Sequence, residues 1–279
     1  MRTRGTGRKK RVIPGFGLSM GTTIFYLSIV VLIPLGAVFL KTARMSPGDF
    51  WAAVTAPRVL NAYKVSFGCS VIAAAINGVF GLVLSWVLVR YPFPGRKIID
   101  GLIDLPFALP TSIAGIALTA VYCENGWIGS LLHRIGIQSA FSGLGITIAL
   151  VFVGIPFVVR TVQPVLKNLD GQYEEAAMML GAGRTRTFFK VVLPELLPAL
   201  ITGFALAFAR GIGEYGSVIF IAGNIPMKTE IAPLLIMSKL EQYDYNGATA
   251  IAVVILMISF AMLLLINIIQ RRADRLARR

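Results

Sequence analysis

Arg210 and Glu214 stand four residues apart inside a long apolar run. That spacing puts both on one helix face. An ionisable side chain at membrane depth costs roughly 2.5–3.5 kcal/mol on insertion scales, so it faces a bundle interior or a water-filled cavity and usually pairs. Two readings fit. The pair is a mutually neutralised lock between helices, or it is a pathway or gate element in which Arg210 meets an anion. Another run carries Pro106 and Pro110, also four apart. On a continuous helix they would free the carbonyls of Leu102 and Pro106. Thr111 and Ser112 are at hand to bond such carbonyls. The prolines either kink a helix to shape the bundle or bend one that lines a pathway. Asp100 and Asp104, just ahead, read as a solvated helix end.

Other chemistry is scarce. The chain has one histidine, His133, and two cysteines, Cys69 and Cys123, which read as unrelated free thiols. Metal sites need several such ligands, so no metal is expected. No nucleotide P-loop or HExxH motif is present. The chain is expected to bind no cofactor, and any ATP with its Mg belongs to a partner subunit. An intramembrane enzyme would need a nucleophile, base or metal cluster, and Arg210–Glu214 alone supplies none. Gly211, Gly213 and Gly216 match GxGxxG by letter, but a dinucleotide site must follow a strand. Here the glycines sit mid-run. With Gly203 and Ala207, Gly211 forms a small-residue stripe suited to close helix packing. Ala205, Ala209, Gly213 and Ser217 form a second.

The elements that hold these residues follow from composition. Of 279 residues, 56% are hydrophobic and 14% charged, against roughly 25% charged in soluble domains. Mean hydropathy is +0.75. These values exclude a soluble domain and a disordered chain. Six runs approach the ~20 residues a membrane helix needs: Met20–Leu40, Val65–Val89, Ile103–Tyr122, Gly143–Val159, Leu196–Ala222 and Ala248–Ile269. They are continuous, so helices fit and barrel strands do not. The first is too long for a signal core and is read as a retained span. The expected fold is an all-α integral membrane protein with six transmembrane helices.

Net charge is +14. Alternate connecting segments, counted from the N-terminal tail, hold 19 Lys and Arg, and the intervening ones hold seven. The positive-inside rule then puts both termini in the cytoplasm. The charge needs no nucleic-acid partner; the bilayer is the partner instead. The basic tails, 1–18 and 271–279, suit contact with anionic lipid.

The connection 160–195 falls on the cytoplasmic side. It reads as helix, glycine break, helix, with the second helix ending before Pro194. It is too long for a passive link and suits a docking knob. It contains Glu175, Ala176 and Ala177, then Gly181 after three residues, and Val191, Leu193 and Pro194 after nine more. This resembles the EAA loop of the permease subunits of bacterial ATP-driven (ABC) importers, type I. The resemblance covers residues 60–270 as the permease core, with 19–59 as a first span and its outer connection. It implies that Glu175, Ala176, Ala177, Gly181, Val191, Leu193 and Pro194 couple the chain to two ATPase subunits.

A narrower resemblance rests on Pro14–Ser19, on Asp104–Thr111 with its two prolines, and on Arg210–Ser217 followed by Ile221–Pro226. These look like the sulfate/thiosulfate permeases, the T-type subunit in particular; molybdate and tungstate permeases share a similar motif in the fifth run. The resemblance implies a multi-pass inner-membrane permease working by alternating access. It would pair with a sister permease as a heterodimer and receive sulfate from a periplasmic binding protein. Asn224–Asn246 then lies outside. Its Ile231–Met237 stretch forms a short helix that touches the binding protein or a packed cap.

Overall fold

The computed structural model describes residues 16–277, the last seven as backbone only. Among the described residues there are helices and no strands. In chain order they are α1 (Phe16–Ala43), α2 (Pro47–Thr55), α3 (Pro57–Arg90), α4 (Arg96–Ile103), α5 (Leu105–Ala108), α6 (Thr111–Tyr122) and α7 (Trp127–Arg134). Then come α8 (Gly143–Asn168), α9 (Gln172–Met179), α10 (Arg184–Ile212), α11 (Gly216–Ala222), α12 (Ala232–Glu241) and α13 (Tyr245–Ala277). The basic tail 1–15 and the side chains beyond 270 lie outside the described residues.

Among the described residues five helices are long and apolar enough to cross a membrane: α1, α3, α8, α10 and α13. The third apolar run of the sequence takes a different form. It is divided into α4, α5 and the 12-residue α6, which spans only about 18 Å at 1.5 Å per residue. Proline explains the division. A residue before proline is pushed from helical to extended backbone, and Leu109 is extended at φ −89°, ψ 137°. Pro106 opens α5, and Pro110 stands as the residue capping α6. The two prolines therefore end and restart helices rather than share the face of one bent helix. The fifth run is interrupted too: α10 stops at Ile212 and α11 restarts at Gly216.

Two other prolines are absorbed without a break. Short π-helical turns occupy Ser28–Leu32 and Phe188–Val192, and each ends two residues before a proline, Pro34 and Pro194. The Ile33 N–H donates to the Ser28 carbonyl, and the Leu193 N–H donates to that of Phe188. A proline ring collides with the carbonyl four residues earlier. Those carbonyls, Val30 and Lys190, lie inside the widened turns, which relieves the collision. So α10 runs straight through Pro194 and does not stop there. The helix α8 likewise continues past Arg160 to Asn168, leaving a shorter loop than the sequence suggested.

The centre of the bundle is α3 against α8 and α10. Ala74, Val158, Val162, Leu196, Ala207 and Phe208 form its buried core. In lipid, helices associate through close van der Waals packing, so small residues gather at the contacts. The Gly203–Ala207–Gly211 stripe does this: a side chain at Gly203 would strike Thr161 and Val158, and one at Gly211 would sit 3.2 Å from Ser70 Oγ. At one end of the bundle α12 packs its Ala232 and Leu235 against Val59, Ala62, Tyr63 and Ile251. Ser66 Oγ accepts the Ala232 N–H at 2.7 Å. The apolar face of Ile231–Leu235 is thus a packed cap, not a free surface.

Candidate functional site

At the other end of the bundle the α8–α10 connection folds back as a knob. The short helix α9 carries Glu175, Ala176 and Ala177. It ends on Gly181, whose φ is +77°. The Gly181 N–H donates to the Met178 carbonyl at 2.9 Å and the Ala182 N–H to that of Ala177 at 3.0 Å. This is a Schellman stop, which needs a left-handed residue at that position. The fixed distance between the Ala pair and the glycine is thereby explained: Ala177 supplies the acceptor and Gly181 the turn. Beyond the stop, α10 starts at Arg184 and carries Val191, Leu193 and Pro194 in its first turns.

The tip of the knob is apolar and open. Met179 is 90% exposed and Leu180 is 89% exposed, with Tyr173 and Met178 beside them. Glu175 is exposed and makes no ion pair among the described residues. Its neighbour Glu174 pairs with Arg90, the last residue of α3. The structure brings α9 to the start of α10, near the π-helical turn at Phe188–Val192. The buried anchors of that turn are Val192 and Leu196, not Val191 and Leu193, which are half-buried. Arg90 and Glu174 were not singled out in the sequence. The Trp86–Arg90 spacing at a helix end was the available signal.

The second constellation lies where α10 gives way to α11. Arg210 Nη1 is 2.7 Å from Glu214 Oε2. Glu214 Oε1 accepts the Ser217 N–H and the Ser217 hydroxyl, each at 2.9 Å. Glu214 is 1% exposed, whereas the Arg210 side chain is 36% exposed. The carboxylate thus caps the restarted helix α11 and neutralises the arginine. The restart of α11 meets the restart of α6: a side chain on Gly216 would collide with Thr111 Oγ1. So Pro110 and Thr111 are brought beside the Arg210–Glu214 break, with Ser112 exposed next to them. Pro106 lies apart, buried in α5 near α8.

Asp100 and Asp104 sit at a partly solvated helix end, and both are paired. Arg160 grips Asp104 through Nε and Nη2, and Nη1 is 2.7 Å from Asp100 Oδ1. Burial pushes the Asp100 carboxyl up, but hydrogen bonds from Arg160 and Gln163 outweigh it and hold the group below its ordinary range. Cys69 and Cys123 are free thiols, as expected.

A helical bundle with a glycine-stopped knob at one end and broken helices inside can transmit a push. The family model described as the inner membrane component of binding-protein-dependent transport systems matches residues 77–279. The chain belongs to this family. It is accordingly a multi-pass inner-membrane transport subunit and not an enzyme. The chain is 50% identical over 266 residues to the sulfate transport system permease protein CysT of Salmonella typhimurium, covering 95% of this chain and 96% of that one. The Synechocystis permease of the same name is 48% identical over 255 residues, covering 91% and 89%. Among solved structures, a bacterial ABC transporter that imports the acidic polysaccharide alginate superposes with a TM-score of 0.75 at 15% identity, over 92% of this chain and 94% of that one. A second crystal structure of the alginate transporter, in complex with an alginate-loaded periplasmic protein, superposes equally well at 16% identity over 92% and 93%. At such identities the likeness concerns the permease fold alone.

Proposed function

We propose that this permease forms part of the pathway of an ATP-driven sulfate/thiosulfate importer. The observation that carries the substrate is the 50% identity to a sulfate permease over 95% of the chain. The Arg210–Glu214 pair supports an oxyanion cargo less directly, because the arginine is already neutralised.

The supporting geometry for coupling is the exposed knob at 172–181. Two ATPase subunits would each grip one such knob, one from this chain and one from a sister permease. ATP and Mg would be used there, outside this chain. Both termini would be cytoplasmic, following the 19-to-seven distribution of basic residues. The α12 end of the bundle would then face a periplasmic sulfate-binding protein. Transport would proceed by alternating access, as closure of the ATPases rocks packed helices between two arrangements. Pro106, Pro110, Thr111 and Ser112, with Arg210 and Glu214, are the candidates for the moving pathway.

The decisive experiment is uptake of labelled sulfate by cells lacking their own sulfate permeases. This chain is supplied with its sister permease, ATPase and binding protein. Restored uptake that is lost when this chain alone is omitted supports the reading, and thiosulfate should compete. An assembled system that hydrolyses ATP but takes up molybdate or tungstate in place of sulfate overturns the substrate.

A further inference from the structure

Helix α3 is held by an arginine at each end. Arg58, its second residue, grips Glu230 through two bonds: Nε to Oε2 at 2.7 Å and Nη2 to Oε1 at 2.6 Å. Glu230 is buried, directly before the packed cap α12. Arg90, its last residue, pairs with Glu174 in the first turn of α9. The helix that carries both runs 34 residues without a break, about 50 Å at 1.5 Å per residue. No proline interrupts it after its first turn. By contrast the α10–α11 path, interrupted between Ile212 and Gly216, and the α4–α6 path are both broken.

The Arg90 end is built for a defined position. Its guanidinium carbon lies 5.4 Å from the Trp86 ring centroid. Trp86 meets Phe188 edge-on at 5.2 Å. Arg90 Nε is buried and has no hydrogen-bond partner. Glu174 is the acceptor the guanidinium has among the described residues. A planar guanidinium packed on an aromatic face and paired to one carboxylate has little freedom to swing. The covalent route from α9 into α10 passes instead through a bend at Gly181, Ala182 and Gly183.

We propose that α3 is the rod that carries the coupling movement across the membrane, with Arg90–Glu174 as its bolt to the coupling knob and Arg58–Glu230 as its bolt to the outer cap. Arg90, Glu174, Arg58 and Glu230 are positioning residues, distinct from the EAA-loop positions that resemblance marks. A push on α9 displaces Glu174, and the paired Arg90 passes it to α3. The stiff helix delivers it to α12 at the far end. This rests on the reading that ATPase subunits dock on the knob.

The test uses the complete importer in proteoliposomes, with sulfate import, ATP hydrolysis and retained ATPase each measured. Variants are Glu174→Gln, Arg90→Gln, the reversed pair R90E/E174R, and Arg58→Gln at the opposite end. The ATPase should stay bound and hydrolyse ATP in every variant. Import per ATP should fall about fivefold or more in the three single variants, and the reversed pair should regain part of it. Arg58→Gln is the arm that matters most, because it lies far from any ATPase contact. Wild-type import per ATP in Arg58→Gln overturns the rod. Loss of import matched by loss of bound ATPase in the Arg90 and Glu174 variants also overturns it, since the pair would then only shape the knob. A wild-type complex that never couples ATP to import speaks against the importer reading itself.

Discussion

Arg160 holds Asp104 with one edge of its guanidinium, Nε to Oδ1 at 2.8 Å and Nη2 to Oδ2 at 2.6 Å. The remaining nitrogen, Nη1, reaches Asp100 Oδ1 and Gln163 Oε1, and Nη2 also donates to the Asp100 carbonyl. One side chain on α8 therefore pins the joint between α4 and α5. A lysine keeps the charge and loses the fork. Arg160→Lys should lower stability by about 1–3 kcal/mol, the lower part of the range being favoured because all three side chains are partly solvated. The thermal midpoint of the detergent-solubilised protein checks it. An unchanged midpoint would show that charge alone holds the joint.

The two restarted helices touch at Gly115 and Ser217. A methyl group on Gly115 would lie 2.5 Å from the Ser217 carbonyl oxygen and 2.8 Å from its Cα. These are backbone atoms, which cannot rotate away. Gly115→Val should therefore cost more than the about 1–3 kcal/mol of ordinary overpacking. We expect little folded protein in the membrane fraction, whereas Gly136→Ala, whose added methyl meets nothing within 4 Å, should express despite its strained φ of +77°. Comparable yields of Gly115→Val and wild type would mean that α6 and α11 do not pack this closely in the membrane.

Gly181 tests the knob. An L-residue held at φ +77° carries a penalty of about 1–2 kcal/mol. The helix stop is local and exposed, so Gly181→Ala should leave global stability nearly intact. It should weaken ATPase co-purification at least severalfold, because the tip residues Met179 and Leu180 lose their fixed direction. Gly181→Asn should recover part of the binding, since asparagine tolerates the left-handed region better. Equal ATPase retention in all three would remove Gly181 from the docking surface.

Much of this was legible in the sequence because it depends on local rules. The long apolar runs and the Gly181 stop each follow from a few consecutive residues. The Arg210–Glu214 pair was legible for the same reason. What escaped were pairs far apart in the chain: Arg160 with Asp100 and Asp104, Arg58 with Glu230, and Arg90 with Glu174. Counting arginines toward topology hid their individual partners. The prolines misled in a physical way. Pro106 and Pro110 divided a helix, whereas Pro194 was absorbed by a π-turn. The difference lies in whether the turn before the proline can widen, which spacing alone does not show.

Asp244 gives a pH dependence. Lys239 Nζ lies 2.8 Å from its Oδ2, and Oδ1 accepts the Gly247 N–H at 2.8 Å at the start of α13. The Lys239 bond foremost, then the backbone N–H, hold this carboxyl below its ordinary range against a smaller effect of burial. A depressed carboxyl adds stability above its unfolded value of about 3.9 and loses it as pH falls through the folded value. Asp244→Asn keeps the cap and removes the charge. The difference in thermal midpoint between wild type and this variant should be present at neutral pH and shrink in acid below that value. A difference independent of pH would assign the effect to the cap alone.

Glu214 separates the two readings of its pair. Its carboxylate joins Arg210, the Ser217 N–H and the Ser217 hydroxyl in a buried site. Glu214→Gln turns one acceptor into a donor facing the guanidinium. Breaking a buried ion pair by removing one partner costs about 3–5 kcal/mol, and the partial exposure of Arg210 moves the expected loss toward the lower end. Replacing both, Arg210→Met with Glu214→Gln, removes the stranded charge while keeping an acceptor for Ser217. The double variant should thus regain stability relative to the Glu214→Gln single. Its uptake then decides the matter. A lock between helices needs packing and a cap, both retained, so sulfate uptake should return with stability. A pathway element needs the guanidinium, so uptake should stay at least tenfold below wild type, a difference of about 1.4 kcal/mol in the barrier. We expect the second result, because about a third of the Arg210 side chain is exposed on the single chain.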